Sequence, residues 1–172
     1  MPRPAATDYG KFYQPYIDST LGYEEDVKQL IQKSEQQFSG FLNTIPPEKY
    51  DYAYAPGKWT LKEVVQHLID VERIMSYRAL SVARGEKQSL PGFEENDYAA
   101  NAPVNHRSWD DLVSELLHVR KSSILLFNSL TEENLQQKGT VNNFPATANV
   151  FGFIIVGHAL HHQKIVKERY LG

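Results

Sequence analysis

Four long segments repeat apolar side chains at spacings of three and four residues, and this periodicity constrains the fold more than any other feature. The segments span residues 23–45, 60–84, 108–130 and 147–171. Each is roughly 20 residues long, which predicts four helices that bury one apolar stripe against a shared core. We therefore expect an all-α fold, a single-domain four-helix bundle over residues 21–172, preceded by an N-terminal tail over residues 1–20.

Residues that begin and end helices mark the limits of these segments. The Pro-Pro pair at residues 46–47 ends the first segment, because proline cannot continue the helical hydrogen-bond ladder. Thr60 and Glu63 have the spacing of a capping box at the start of the second segment, and Gly85 is a candidate C-terminal cap. Ser108 is the expected N-cap of the third segment.

The connector at residues 85–107 is longer than ordinary loops, which favours a functional role for it. Three acidic residues of the connector, Glu94, Glu95 and Asp97, are interpreted as solvated. The alternative is that they lie over a functional site. A weak strand pattern occurs at residues 138–144, and the expected pairing partner is residues 52–55.

Charge and hydropathy exclude two classes of function. The net charge is −3, and the longest basic run is the pair Arg120 and Lys121, whereas proteins that bind nucleic acids usually cluster such residues. No apolar run approaches the roughly 20 residues that cross a bilayer. Residues 1–20 lack the apolar centre of a signal peptide. We expect a cytoplasmic protein that binds neither nucleic acid nor membrane.

Helical phase separates the histidines into inward and outward positions. The chain has six histidines and no cysteine, so any metal ion must have nitrogen or oxygen ligands. At about 100° per residue, His158 and His162 lie on the apolar face of the fourth segment, stacked one turn apart. His67 lies within the apolar stripe of the second segment. His161 and His118 are predicted to face water.

Three inward histidines are hard to explain as ordinary core residues. A single buried histidine is usually satisfied by its neighbours, but each unsatisfied polar atom costs about 1–3 kcal/mol. A shared divalent ion removes this cost. The pattern therefore predicts one metal site formed by His67, His158 and His162, with zinc or nickel as the expected ion.

Other residues near these positions have two interpretations each. Asp70, one turn beyond His67, either contacts a ligand histidine or is solvated. Arg78 lies on the same face as His67, and it either binds an anionic group of a substrate or forms a structural ion pair. Trp59 precedes the N-cap and is interpreted as a packing residue. The aromatic residues of the tail are treated as exposed and either lie across the bundle or contact a partner: Tyr9, Phe12, Tyr13 and Tyr16.

Two motifs resemble the DinB/YfiT-like superfamily. The first is Pro-Gly-Lys-Trp-Thr at residues 56–60, followed by Val-Val-Gln-His-Leu-Ile-Asp-Val-Glu at residues 64–72. The second is Gly-His-Ala-Leu-His-His-Gln-Lys-Ile at residues 157–165. The resemblance covers nearly the whole chain. It implies an up-up-down-down four-helix bundle with one metal site at one end, and its ligand positions match the three histidines predicted from helical phase.

The resemblance also limits the expected chemistry. Members of the superfamily include bacillithiol and mycothiol S-transferases, thiol-dependent isomerases and proteins named as metal-dependent hydrolases. Three imidazole ligands leave a coordination position open, as in catalytic zinc sites. The leading hypothesis is a metal-dependent transferase that activates a low-molecular-weight thiol and acts on a small molecule. The alternatives are a hydrolase that uses a metal-bound hydroxide, and a non-catalytic metal-binding or scaffold protein, because no general base is obvious. A homodimer is compatible with the resemblance.

Overall fold

The computed structural model describes residues 3–172, within which it contains seven α-helices and one two-stranded sheet. The elements are α1 (Gln14–Asp18), α2 (Val27–Leu42), α3 (Leu61–Ala83), α4 (Glu95–Ala100), α5 (Trp109–Ser129), α6 (Glu132–Gln136), β1 (Lys138–Val141), β2 (Phe144–Thr147) and α7 (Ala148–Ile165). Short 3-10 turns occur at Lys11–Tyr13 and Pro47–Lys49, and a π-helical turn at Val166–Tyr170 follows α7. The first two residues of the predicted tail lie outside the described part. None of the helices within residues 3–172 is long and apolar enough to cross a membrane.

The predicted four-helix bundle is confirmed, and local capping explains where its long helices begin. At the start of α3, the Oγ1 of Thr60 accepts a hydrogen bond from the backbone N–H of Glu63, and the Glu63 carboxylate accepts one from the N–H of Thr60. Gly85 follows α3 with a φ of +81°, a conformation that glycine adopts without steric cost. Helix α2 begins at Val27 rather than near residue 23, because the Asp26 side chain caps it.

The helix directions differ from those implied by the resemblance. One apolar cluster contains residues from the starts of α2 and α7 and the ends of α3 and α5: Val27, Ala148, Val82 and Phe127. A second cluster contains residues from the opposite ends of these helices: Leu42, Ala159, Leu61 and Trp109. Helices α2 and α7 therefore run antiparallel to α3 and α5. The implied up-up-down-down order is wrong, and the order is up-down-down-up, because the connector at residues 84–108 links opposite ends of the bundle.

The first two long helices of the bundle lie on a diagonal. Helix α3 packs mainly against α5 and α7, and α2 packs against the same two helices. Helices α2 and α3 therefore face each other across the bundle rather than side by side. Helices α3 and α7, which carry the three candidate ligands, are direct neighbours.

Helix α7 is buried along most of its length because α1 covers the face that the other long helices leave free. Every residue at positions 148–159 is buried. A Cβ atom on Gly157 would collide with the carbonyl oxygen of Tyr16, so glycine allows α1 to approach α7 directly beside His158.

The N-terminal segment is part of the core. Tyr9 and Tyr13 are buried in the first cluster, and Tyr16 packs against it. The alternative in which these aromatic residues lie across the bundle is confirmed. Their expected exposure is wrong except at Phe12, which is 46% exposed.

The predicted pairing of the strand at residues 138–144 is wrong. Strand β1 pairs antiparallel with β2, which follows it directly, instead of with residues 52–55. The two residues between the strands, Asn142 and Asn143, have φ values of 51° and 64°. Positive φ at both positions is the geometry of a type I′ hairpin turn, which asparagine tolerates better than most residues.

An ion pair lies inside the bundle between α3 and α5. Arg120 and Glu72 are joined by two hydrogen bonds, from Nε to Oε1 at 2.8 Å and from the second terminal nitrogen to Oε2 at 2.9 Å. Arg120 also donates to the Oγ of Ser34 on α2 at 2.8 Å. This cluster connects three helices through side chains that are almost completely buried.

Candidate metal centre

The three predicted histidines converge on one point between α3 and α7. The Nε2 atom of His158 lies 3.0 Å from the Nε2 of His67 and 3.1 Å from the Nε2 of His162. The ligand atoms of all three residues lie within 4.8 Å of one another. His67 and His158 are buried, and His162 is half-buried. The inward orientation that helical phase predicts is therefore confirmed.

Hydrogen bonding among the histidines does not explain this arrangement. The Nε2 of a neutral imidazole is either a single donor or a single acceptor, yet the Nε2 of His158 lies close to two other Nε2 atoms. Ligand distances of about 2.0–2.1 Å and tetrahedral angles imply nitrogen–nitrogen separations of about 3.3 Å around zinc. The two separations that involve His158 are slightly shorter than this value, and all three ligand atoms lie within reach of one divalent ion.

Burial keeps these imidazoles neutral. Removal from water lowers the pKa of His67 from 6.5 to about 4. The same effect, followed by the charges of His67 and His161, lowers the pKa of His162 to about 3. The pKa of His158 lies well below 6.5 for the same main reason. At neutral pH all three therefore have the unprotonated form that binds metal ions.

Two cavities of about 250 Å³ each reach the histidines from different sides. The Arg78 cavity is named for its buried cation, and its lining includes Tyr13, Tyr16, Arg78, Phe93, Glu95 and His158. The Trp59 cavity is named for its aromatic wall, and its lining includes Tyr54, Lys58, Trp59, Asn96, His162 and Tyr170. Separate recesses therefore adjoin two of the candidate ligands.

Aromatic rings surround the histidines. The ring of Trp59 lies 4.8 Å from that of His67, and the ring of Tyr16 lies 5.1 Å from that of His158. Trp59 also packs against the second core cluster, as predicted, so it serves both as a packing residue and as a cavity wall. The position of Tyr16 was not predictable from helical phase, because it depends on contact between α1 and α7.

The start of α4 lies over the histidines. Glu95 lines the Arg78 cavity and the next residue, Asn96, lines the Trp59 cavity. The overhanging alternative is therefore observed for Glu95, whose pKa is raised by burial and then by the charge of Glu94. Glu94 and Asp97 are exposed, in agreement with their interpretation as solvated residues.

Asp70 lies away from the histidines. Its Oδ1 accepts a hydrogen bond of 3.0 Å from Gln66, and its carboxyl lines a separate cavity of about 520 Å³ with Asp97 and Tyr98. Burial raises the pKa of Asp70. No hydrogen bond joins Asp70 to a candidate ligand within residues 3–172.

Arg78 is buried at the wall of the cavity that reaches His158. It donates to the phenol oxygen of Tyr13 and to the carbonyl oxygen of Pro91, each at 2.7 Å. Among the described residues it forms no ion pair, so the structural ion pair expected as one alternative is wrong.

The family of the chain follows from a match to a protein-family profile. The profile of the DinB superfamily matches residues 30–166. The chain belongs to the DinB superfamily. The resemblance found in the motifs is therefore confirmed.

A solved structure and two curated sequences resemble the chain. The structure is YfiT from Bacillus subtilis, described as "a probable metal-dependent hydrolase with an unusual four-helix bundle topology". The two structures superpose with a TM-score of 0.71 at 16% sequence identity, over 97% of this chain and 90% of YfiT. This likeness shows the fold. Proteins from Oceanobacillus iheyensis (22% identical over 116 residues) and Geobacillus thermodenitrificans (27% over 118 residues) are each named "putative metal-dependent hydrolase".

The chain spans just under two thirds of the length of these curated relatives, 66% and 65%, and the matches cover 66% of the chain itself. The relatives' names and the three-histidine cluster together indicate a metal-binding protein of this superfamily.

The remaining two helical histidines lie apart from the convergence point. His118 is exposed, as predicted. His161 is half-buried, with the rings of Tyr16 and His162 at 5.6 and 5.4 Å, so its predicted exposure to water is wrong. The reason is the same contact between α1 and α7 that places Tyr16 beside His158.

Proposed function

We propose that His67, His158 and His162 hold one divalent ion, zinc or nickel, and that the protein transfers a low-molecular-weight thiol to an electrophilic small molecule. An ion with three imidazole ligands keeps a coordination position open and lowers the pKa of a thiol or water there. The observation that carries this proposal is the convergence of three neutral Nε2 atoms between two cavities.

Two cavities favour a reaction with two organic substrates. The Arg78 cavity adjoins His158, and the Trp59 cavity adjoins His162. A transferase that joins two substrates in one step holds donor and acceptor at the same time, and their proximity and orientation supply much of the rate enhancement. In this proposal the chain's own contribution is to position both substrates and to exclude water through Trp59 and Tyr16.

Hydrolysis is the second candidate. The names of the curated relatives favour it. Glu95 favours it as well, because its carboxyl lines the same cavity as His158 and burial raises its pKa. A carboxylate of raised pKa is a better proton acceptor, so Glu95 is suited to take a proton from an attacking water.

The metal ligands are tested by elemental analysis of protein purified without a histidine tag. We expect about one divalent ion per chain in the wild type and a strong loss in His158→Ala. His161→Ala is the matched control, since His161 lies on the same helix but outside the convergence point, and it is expected to retain the metal. Equal metal content in the wild type and His158→Ala would contradict the site.

The reaction is tested with a panel of low-molecular-weight thiols and an electrophilic acceptor, with and without chelator. The transferase proposal predicts turnover that requires both the metal and a thiol. Metal-dependent turnover without any thiol would instead support the hydrolase, and bound metal without turnover would support a non-catalytic metal-binding protein. A cytoplasmic location and homodimer formation stay predictions.

A further inference from the structure

We propose that the Arg78 cavity binds the carboxylate of a small α,β-unsaturated acid, and that this acid is the electrophilic substrate. The thiol sulfur bonds to the β-carbon, the C=C π bond breaks, and the thiol proton ends on the α-carbon. The substrate assignment rests on the proposed function, because it places the acid beside His158. The binding of the carboxylate by Arg78 depends only on the cavity and can be tested separately.

The guanidinium of Arg78 is buried without a neutralising partner. Arg78 is only 4% exposed. The oxygen atoms that accept hydrogen bonds from its guanidinium are the neutral Tyr13 hydroxyl and the Pro91 carbonyl. The Sδ of Met75 lies 3.8 Å from one terminal nitrogen. A guanidinium has five N–H donors, so donors remain for a carboxylate. Burying a charge is costly unless it is paired, which makes an anionic ligand the natural acceptor.

Arg120 shows how this fold treats a buried arginine that has a structural role. It is 3% exposed, nearly the same as Arg78, but both oxygens of Glu72 accept its hydrogen bonds. Arg78 has no such carboxylate among the described residues, and unlike Arg120 it lines a cavity of about 250 Å³. Burial alone therefore does not distinguish the two arginines, whereas the missing internal anion does.

The cavity walls select the rest of the ligand. The ring of Phe93 lies 5.4 Å from the Arg78 guanidinium, and the rings of Tyr13 and Tyr16 are also part of the lining. The volume is below the roughly 300–1,000 Å³ typical of sites for drug-sized ligands. Flat apolar walls, one cation and a small volume fit a planar unsaturated monocarboxylic acid, for which benzoate is a non-reacting probe.

Glu95 provides an internal test of the charge argument. It lines the same cavity but does not form an ion pair with Arg78. Its negative charge opposes the binding of an anion. Removing that charge should therefore strengthen the binding of a carboxylate, whereas removing the charge of Arg78 should weaken it.

The experiment titrates benzoate and its neutral isostere benzamide into the metal-containing full-length chain, with calorimetry or NMR as the readout. We expect benzoate to bind in the millimolar range and at least about tenfold more tightly than benzamide. Arg78→Gln should weaken benzoate binding at least about tenfold and leave benzamide binding unchanged. Arg73→Gln is the control, because Arg73 is an exposed residue of the same helix paired with Glu115, and it should change neither.

Glu95→Gln should strengthen benzoate binding several-fold, a gain that misfolding cannot produce. No detectable benzoate binding, equal binding of benzoate and benzamide, or unchanged binding in Arg78→Gln would overturn the proposal. If Arg78→Gln does not fold, the absence of a gain in Glu95→Gln overturns it. Repeating the titration after chelation separates carboxylate binding by Arg78 from the proposed metal site. Benzoate binding that depends on Arg78 should persist without metal. Failure of the metal site would instead appear in the elemental analysis.

Discussion

Two polar clusters are buried close together in the bundle, and they differ in how their hydrogen-bonding groups are satisfied. One small gap in the packing is lined by Glu72, Arg120 and His158, which shows how near they are. In the Glu72–Arg120–Ser34 cluster, three hydrogen bonds connect charged and polar atoms of three helices. In the histidine cluster, three Nε2 atoms face one another with no satisfactory assignment of donors and acceptors.

The difference separates a structural cluster from a ligand-binding one. A buried ion pair whose opposite charges are joined by hydrogen bonds needs no further charge from outside the protein. Three neutral imidazoles that converge without such bonding are stabilised only when another group joins them, and a metal ion is the group their nitrogen atoms fit. Substitutions, metal and acid should therefore affect the two clusters differently.

The largest effect is expected from breaking the structural cluster. Glu72→Gln leaves the Arg120 guanidinium buried without its carboxylate, and we expect the free energy of unfolding to fall by about 3–5 kcal/mol. Denaturant titration measures this loss. Metal content per folded chain should stay at the wild-type value, because Glu72 is not one of the converging ligands. Glu115→Gln, which removes a partly exposed carboxylate paired with Arg73 and Arg107, should cost less, at most about 1 kcal/mol for each of these surface pairs. Equal losses in the two variants would contradict the comparison.

A smaller effect is expected from adding metal. An ion present at a hundredfold excess over its dissociation constant should raise the free energy of unfolding by about 2.7 kcal/mol, because it binds the folded state alone. His158→Ala should abolish this gain and Glu72→Gln should keep it. Thermal unfolding with and without chelator measures the effect. A similar gain in His158→Ala would show that the ion binds elsewhere.

The smallest effect per pH unit is expected on acidification of the metal-free protein. Burial holds the pKa of His162 at about 3 and that of His67 at about 4, whereas both are near 6.5 in the unfolded chain. Between these limits the unfolded state binds more protons, so stability falls as the pH falls from about 6.5 toward 4, by about 1.4 kcal/mol per pH unit for each histidine. His162→Gln should reduce this slope by one such increment.

The control for acidification is His118→Ala, because His118 is exposed on α5. Replacing this surface side chain controls for the general effect of a histidine substitution on stability. Denaturant titrations at several pH values, with chelator present throughout, measure the slopes. An unchanged slope in His162→Gln would mean that the histidine is protonated equally well in the folded and unfolded states, contrary to its burial.

The sequence predicts the four long helices and the three histidines because both depend on local periodicity. A helix fixes the direction of each side chain relative to its neighbours, so the apolar stripe identifies His67, His158 and His162 without knowledge of the packing. The same periodicity also indicates a buried arginine on α5. Arg120 lies one turn beyond the buried Leu116, and an arginine at such a position implies a buried partner.

Features that depend on distant contacts were not predictable in this way. The half-buried state of His161 and the position of Tyr16 follow from the packing of α1 on α7, which residue spacing does not encode. An indirect signal was present, since residues 148–160 have no continuous polar face, and a helix that is apolar all round must be covered on every side. The partner of strand β1 is identified by the Asn142–Asn143 turn and not by the strand pattern, because positive φ at both residues returns the chain directly to β2.

The separation of the ligands along the chain determines when the site can form during synthesis. His67 and His158 are 91 residues apart. At about 5–20 residues per second, a ribosome needs several seconds or more to add that stretch. Until α7 has emerged, the nascent chain has one of the three converging imidazoles and lacks the helix that packs against both α2 and α3. Binding of an ion by all three histidines therefore has to wait until α7 has been made, and a shortened chain that ends before α7 should not bind the ion.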